Sequence, residues 1–285
     1  MSRRLARRDS EVIDRQQPLS FYWCGQLLQG LAGDSLASAL LANGIKAVSR
    51  SYKYSRHRGV LCSNAEEPNA LVDLECEPFL TPNARATQVE LYQDLSASSP
   101  TAAETPVNRF KRLFKPFGRF MPAGFYYKTF KYPSKWWPHY ETLLRTMAGI
   151  SPSPTQPDPE SYDHMYQYCD VLVVGAGVAG LQAALTVARS GAQVLVVDER
   201  PQLGGLLYEY GLGEYGKEEI AGKSALQWLR QIRIVLDQMS NVRVLSRTTA
   251  FAFHDCNLLH ALELRQDHLP LAQRDAALSR QRLHK

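Results

Sequence analysis

Three glycines, Gly175, Gly177 and Gly180, stand in the spacing G-x-G-x-x-G directly after the apolar run "DVLVV". Bare backbone at that spacing is suited to holding a diphosphate. Gly175 permits a tight turn, Gly177 has no side chain to keep a pyrophosphate off the backbone, and Gly180 lets a helix and a strand pack closely. The amides of the helix start then face the phosphates, where the helix dipole favours negative charge. Asp198, Glu199 and Arg200 follow the next apolar run, residues 194–197. Asp198 is the expected acceptor for adenosine ribose hydroxyls, and an acid at that place disfavours a 2′-phosphate, so NADP is not expected. The spacing alone is common. Its context, with a strand before it, a helix after it and an acid at the tip of the following strand, is what the motif requires, against the competing reading of a glycine-rich turn that binds nothing. Beyond the second strand, "RPQLGG", with Gly204-Gly205, is an addition typical of the two-dinucleotide flavoprotein fold of the glutathione-reductase kind. NAD and FAD present the same adenosine diphosphate to such residues, and both remain open.

The elements that must position these residues are a strand at 171–174, a helix at 180–190, a turn at Gly191 and a second strand at 194–197. Together they form a βαβ unit with a buried parallel pair. A long amphipathic helix is expected over 218–239, with Leu226, Leu229, Ile232, Val235 and Leu236 on one side. Strands follow at 242–245, 249–253 and 258–264. At the other end of the chain, aromatic-rich residues 19–24 read as a strand that turns at Cys24-Gly25, with 26–29 returning. Ser35 then caps a short helix that ends at Gly44. Residues 45–49 and 71–74 are candidate further strands, and the whole is a β-grasp pattern. Between these halves the composition shifts to aromatic, basic and proline residues, and a short helix over 135–147 ends at Gly149. This reads as a connector that lies against something apolar, because a free linker is poor in Phe, Tyr and Trp. The domain reading is 1–95 for a β-grasp domain, 96–168 for the connector and 169–285 for a dinucleotide-binding domain. The fold class is mixed α/β and α+β.

A length of 285 residues accommodates two domains with their own cores. The formal charge of +5 is spread rather than gathered into one stripe, so no nucleic-acid partner is expected. No apolar run approaches a membrane span, and the start "MSRRLARRDS" has no secretory character. A cytoplasmic location is the default. Five cysteines, Cys24, Cys62, Cys76, Cys169 and Cys256, are too widely spaced for a disulfide framework or a zinc pair. His57, His139, His164 and His254 stand alone, and neither a catalytic residue nor a metal site is assigned.

In order along nearly the whole chain, "QPLSFYWCGQLLQGLAGDSLASALLANGIKAVSRSYKYSRHRGVL", "EEPNALV", "PNARATQVELY", "PAGFYYKTF" and "CDVLVVGAGVAGLQAAL" resemble the amino-terminal part of the α subunit of heterotetrameric sarcosine oxidase. Related opine oxidase and hydrogen cyanide synthase subunits hold a [2Fe–2S] cluster on four cysteines in the first domain. Laid on that pattern, Cys62 takes the first ligand position, while Glu67, Ala70 and Thr87 take the other three. No [2Fe–2S] cluster is expected, because one thiol cannot hold it.

The resemblance implies NAD in the dinucleotide site, with Ala179 beside the pyrophosphate and Asp198, Glu199 and Arg200 at the ribose. Gly204 and Gly205 approach it by backbone, and Leu206 stands where the family commonly has a small hydroxyl residue. It further implies FAD and FMN in the complete complex, partner subunits of β, γ and δ type, and a tetrahydrofolate-binding module beyond this chain. The activity implied is oxidative demethylation of sarcosine to glycine with formation of peroxide. Such subunits are several times longer, so the dinucleotide domain is expected to be incomplete and the chain a fragment inactive alone. The alternatives are a non-catalytic assembly module and an FAD-binding subunit of a related amine or opine oxidoreductase.

Overall fold

The computed structural model describes residues 4–8, 11–74, 80–101, 132–151, 153–157, 161–210, 219–275 and 280–284, with single positions 109, 113, 116, 118 and 124. They divide into two compact units, one built mainly from residues 13–159 and the other mainly from 160–267.

The first unit opens with a hairpin of β1 (Asp14–Trp23) and β2 (Gln26–Ala32). Cys24 and Gly25 both have positive φ, 49° and 80°, as a two-residue turn matched to strand twist requires. Helix α1 (Leu36–Ala42) follows, with the Ser35 side chain accepting the Ser38 N–H at its start. Strands β3 (Leu71–Leu74), β4 (Thr81–Arg85) and β5 (Leu95–Ser98) complete a sheet of order β2-β1-β5-β3-β4. β5 runs parallel to β1 and antiparallel to β3. Leu36, Ala39 and Leu40 of α1 pack on Phe21, Val72, Leu95 and Ala97 to form a closed apolar core. Beneath it the buried carboxylate of Asp34 accepts from Leu31 N–H (2.9 Å) and the Ser38 hydroxyl (2.6 Å) and pairs with both terminal nitrogens of Arg4. Helix α2 (Trp137–Ala148) ends at Gly149, whose left-handed φ of 83° closes it.

Two expectations are corrected here. Residues 45–49 do not form a strand: only Ser49–Arg50 pairs, in a two-residue ladder with His57–Arg58, while Val48 turns into the core. β5, for which no strand was expected, lies in the middle of the sheet. Most of the aromatic stretch from 110 to 131 falls outside the described residues.

The second unit contains β6 (Tyr162–Tyr166), β7 (Val171–Val174), α3 (Val178–Ala188), β8 (Val194–Val197), α4 (Ala225–Asp237), β9 (Val242–Leu245), β10 (Thr248–Phe253), β11 (Leu259–Glu263) and β12 (Arg280–His284). β7, β8 and β9 are all parallel, in the order β9-β8-β7. β10, β11, β12 and β6 form a second sheet. Every residue of β8 is buried, which is why its sequence is a continuous apolar run and not an alternation. Val194 and Val196 pack under α3 and α4, whereas Leu195 and Val197 meet Ala261 of the second sheet. The parallel sheet is thus sandwiched between helices and strands.

Helix α4 is shorter than the 218–239 expected. Residues 219–224 instead form a two-residue ladder around Ala221 and Gly222, both at positive φ, and Ser224 starts the helix through a capping box with Gln227. Trp228, Leu229, Ile232 and Leu236 face inward, while Val235, expected among them, is exposed. Helix α3 begins at Val178, two residues before its expected start. Among the described residues, no helix is long and apolar enough to cross a membrane.

Candidate functional site

β7 ends at Val174 and enters the glycine turn. The Gly175 N–H donates to Val197 O at 2.8 Å, so the parallel ladder runs into the turn itself. Gly175 has φ of 94°, a conformation costly for residues with a Cβ. A Cβ on Gly180 would lie 1.9 Å from Gly175 O, so α3 and the turn meet backbone to backbone. Gly177 differs from both. Its backbone is extended (φ −74°, ψ −171°), any residue adopts it, and an added Cβ would meet nothing within 4 Å. Gly177 therefore borders open space, and its lack of a side chain has no cause in the packing of the chain. It is also the N-cap of α3, and no side chain caps the helix there. The first amides of a helix have no acceptors within it, so they are available to a ligand.

Asp198, at the end of β8, is buried, and its carboxylate points back into the turn: Oδ2 accepts the Ala176 N–H at 2.5 Å and Oδ1 accepts the Arg200 N–H at 2.8 Å. Arg200 in turn donates from Nη1 to Gly205 O at 3.1 Å, and the Gly204 N–H donates to Ala176 O at 2.8 Å. A Cβ on Gly205 would come 3.2 Å from Gly177 Cα, so the Gly204-Gly205 loop closes on the turn from a second side. The sequence-predicted residues Gly175, Gly177, Gly180, Asp198, Arg200, Gly204 and Gly205 are thereby brought together through one network. Glu199 is half-buried beside them, whereas Ala179 and Leu206 face solvent. Each carboxylate oxygen has two lone pairs, so Asp198 keeps acceptor capacity after bonding the two amides. Its inward role in shaping the turn was not legible from spacing.

In the first unit, Cys62, Glu67, Ala70 and Thr87 lie on or beside one loop. Glu67 is 1% exposed. Its Oε2 accepts N–H from Leu61 (2.6 Å) and Cys62 (2.8 Å), and its Oε1 accepts N–H from Asn69 (2.7 Å) and Ala70 (3.1 Å). Burial pushes this carboxyl up, but the amides of Cys62, Asn69, Leu61 and Ala70 together outweigh it and hold the group below the usual carboxylate range. The Thr87 hydroxyl donates to Asn64 O at 2.9 Å.

His254, expected to stand alone, lies beside His260 with ring centroids 4.6 Å apart and planes tilted by 51°, while His57 and His164 are exposed. Among the described residues, no group of three His, Cys, Asp or Glu is placed to hold a metal ion. A cavity of about 360 Å³, lined by Cys169, Gln193, Asn241 and Arg243, opens at the N-terminal ends of the parallel strands, away from the glycine turn.

A family model described as a 2Fe-2S iron-sulfur cluster binding domain matches residues 16–102, and one described as FAD dependent oxidoreductase matches residues 170–263. Sarcosine oxidase subunit alpha of Rhizobium meliloti (strain 1021) is 44% identical over 263 residues, 90% of this chain and 26% of that protein. Its counterpart from Corynebacterium sp. (strain U-96) is 33% identical over 257 residues, 90% of this chain and 22% of that protein. The chain is thus similar to sarcosine oxidase α subunits along nearly all of its length, as its motifs imply, and spans about a quarter of theirs. The crystal structure of L-proline dehydrogenase from P. horikoshii shares the fold, with a TM-score of 0.53 and 16% identity over 95% of this chain and 40% of that one.

Proposed function

We propose that the glycine turn receives the adenosine diphosphate of a dinucleotide, and that the chain is the nucleotide-holding portion of a sarcosine oxidase type α subunit. The observation that carries this reading is Gly177, a residue kept bare beside open space at an uncapped helix start. In this reading the amides of residues 177–179 bind the diphosphate, with the partial positive charge of the α3 terminus behind them. Asp198 and Glu199 accept from the adenosine ribose hydroxyls and repel a 2′-phosphate. Arg200 positions the Gly204-Gly205 loop through its bond to Gly205 O. A dinucleotide so held supplies an acceptor for a hydride or an electron pair.

The first reading is NAD, which the resemblance to sarcosine oxidase α subunits implies. The match to an FAD-dependent oxidoreductase family supports FAD as the second reading. The wider activity belongs to the assembled enzyme: oxidative demethylation of sarcosine to glycine with formation of peroxide, together with β, γ and δ type subunits, further FAD and FMN, and a tetrahydrofolate-binding module. The folds of the two units, in this reading, are a ferredoxin-like β-grasp domain and a glutathione-reductase-type dinucleotide domain.

The experiment is co-purification of the chain with and without a β-type subunit, reading bound nucleotide, flavin and sarcosine-dependent peroxide. Nucleotide with the chain and peroxide only from the complex supports the proposal. Unchanged nucleotide retention in the Asp198→Ala, Gly177→Val double variant overturns it.

A further inference from the structure

The loop of the first unit does not fit the group its family model describes. Cluster iron needs four thiolate ligands in proteins of this type. The positions that the resemblance lays on those ligands carry the thiol of Cys62, a carboxylate already committed to amides, the buried methyl of Ala70 and a Thr87 hydroxyl bonded to Asn64 O. Ala70 offers no donor atom.

What the loop retains is an anion-binding shape. Successive backbone N–H groups that converge on one point make the concavities in which proteins hold phosphates and iron–sulfur clusters. In this chain the amides converge from two separate stretches, 61–62 and 69–70, and the Glu67 carboxylate stands between them with one oxygen for each pair. A local turn cap serves one stretch of chain. Glu67 instead ties the two ends of the loop to each other, as a central anion does. Ala70 then continues into β3, and its carbonyl accepts the Ala86 N–H, so the fixed loop end is joined to the core sheet.

We propose that the loop spanning residues 61–70 is a carboxylate-binding nest filled from within by Glu67, the side chain acting as the anion on which a cluster-type loop folds without iron. The ligand class is a single small carboxylate, and removal of the side chain opens the nest to one supplied from solution. The inference is independent of the nucleotide site and of the substrate of the assembled enzyme.

The test uses the full chain. Glu67→Ala is expected to lower the thermal midpoint of the first unit by about 10 °C or more, given that each 1 kcal/mol moves a domain of this size by several degrees. Millimolar formate restores part of the loss in a saturable way, while equal ionic strength as chloride does not. Wild-type protein gains nothing from formate. If Glu67→Ala does not yield folded protein, Glu67→Gln gives the second reading: its amide nitrogen faces one pair of N–H groups, so hydrogen exchange accelerates at one of the pairs 61–62 and 69–70 and remains slow at the other. Three results overturn the proposal: a Glu67→Ala midpoint within about 2 °C of wild type, rescue matched by chloride, or unchanged exchange at all four amides in Glu67→Gln.

Discussion

Replacing Gly177 by Ala separates the two reasons a glycine can occupy this turn. The backbone there is extended and a Cβ meets nothing within 4 Å, so the folded chain tolerates the methyl group. Losing a glycine from the unfolded chain favours folding by about 0.4–1 kcal/mol, and Ala is the poorer N-cap by about 0.5–1 kcal/mol, so the two offset and the net change stays within about 0.5 kcal/mol. The nucleotide responds differently. A methyl group in the open space beside the α3 start holds a diphosphate off the amides. Hydrogen bonds to charged groups contribute about 1.5–3 kcal/mol each, and losing two of them weakens binding by roughly two to four orders of magnitude. Calorimetric titration with ADP, beside thermal melting of the same samples, reads both quantities. The expected result is an unchanged midpoint with binding reduced at least about a hundredfold. ADP affinity equal to wild type, or a large drop in midpoint, refutes the assignment of that space to a phosphate.

Gly180→Ala is expected to do the reverse, because its Cβ would sit 1.9 Å from Gly175 O; the strain costs about 1–3 kcal/mol or more in urea unfolding before any ligand is added. Ser224→Ala removes the capping box of α4 and costs about 0.5–2 kcal/mol in the same assay on the second unit. Glu67 is held below its usual pKa in the folded state, so its contribution is full above that unfolded value and fades as pH falls through the lower folded one. Acid titration of the first unit is therefore expected to show a stability loss below about pH 4.5 that is smaller in Glu67→Gln; an identical acid profile contradicts this. Arg58 Nη1 donates to Asn69 Oδ1 of the same loop at 3.4 Å.

Much of the second unit was legible because its signals are local. Val194–Val197, buried throughout, and the edge strand Val171–Val174, of which only Val173 is buried and Val174 is exposed, are both where the apolar runs place them, although the second is not the fully buried strand expected. Capping chemistry likewise marks α1 at Ser35 and the end of α2 at Gly149. β5 was not legible: "LSAS" has only Leu95 and Ala97 to bury, and its place between β1 and β3 comes from long-range pairing. The start of α4 was misplaced because helical periodicity continues upstream of Ser224, where a tight turn at Ala221-Gly222 interrupts it. Spacing pointed to Gly175, Gly177, Gly180 and Asp198 as candidates, but it did not show their hydrogen-bond partners. Asp198 turning inward to the Ala176 amide and Glu67 gathering four amides are both products of chain geometry, and side chains of those types look alike in a sequence whether they face a ligand or a backbone.

The glycine turn is expected to bind an adenosine diphosphate and to reject a ribose 2′-phosphate. Parallel titration of the purified chain with NAD, FAD and NADP tests this most directly. Measurable binding of NAD or FAD, with NADP at least about tenfold weaker than NAD, a gap of 1.4 kcal/mol, is the result predicted. Equal affinity for NAD and NADP, or no binding of any of the three, contradicts it.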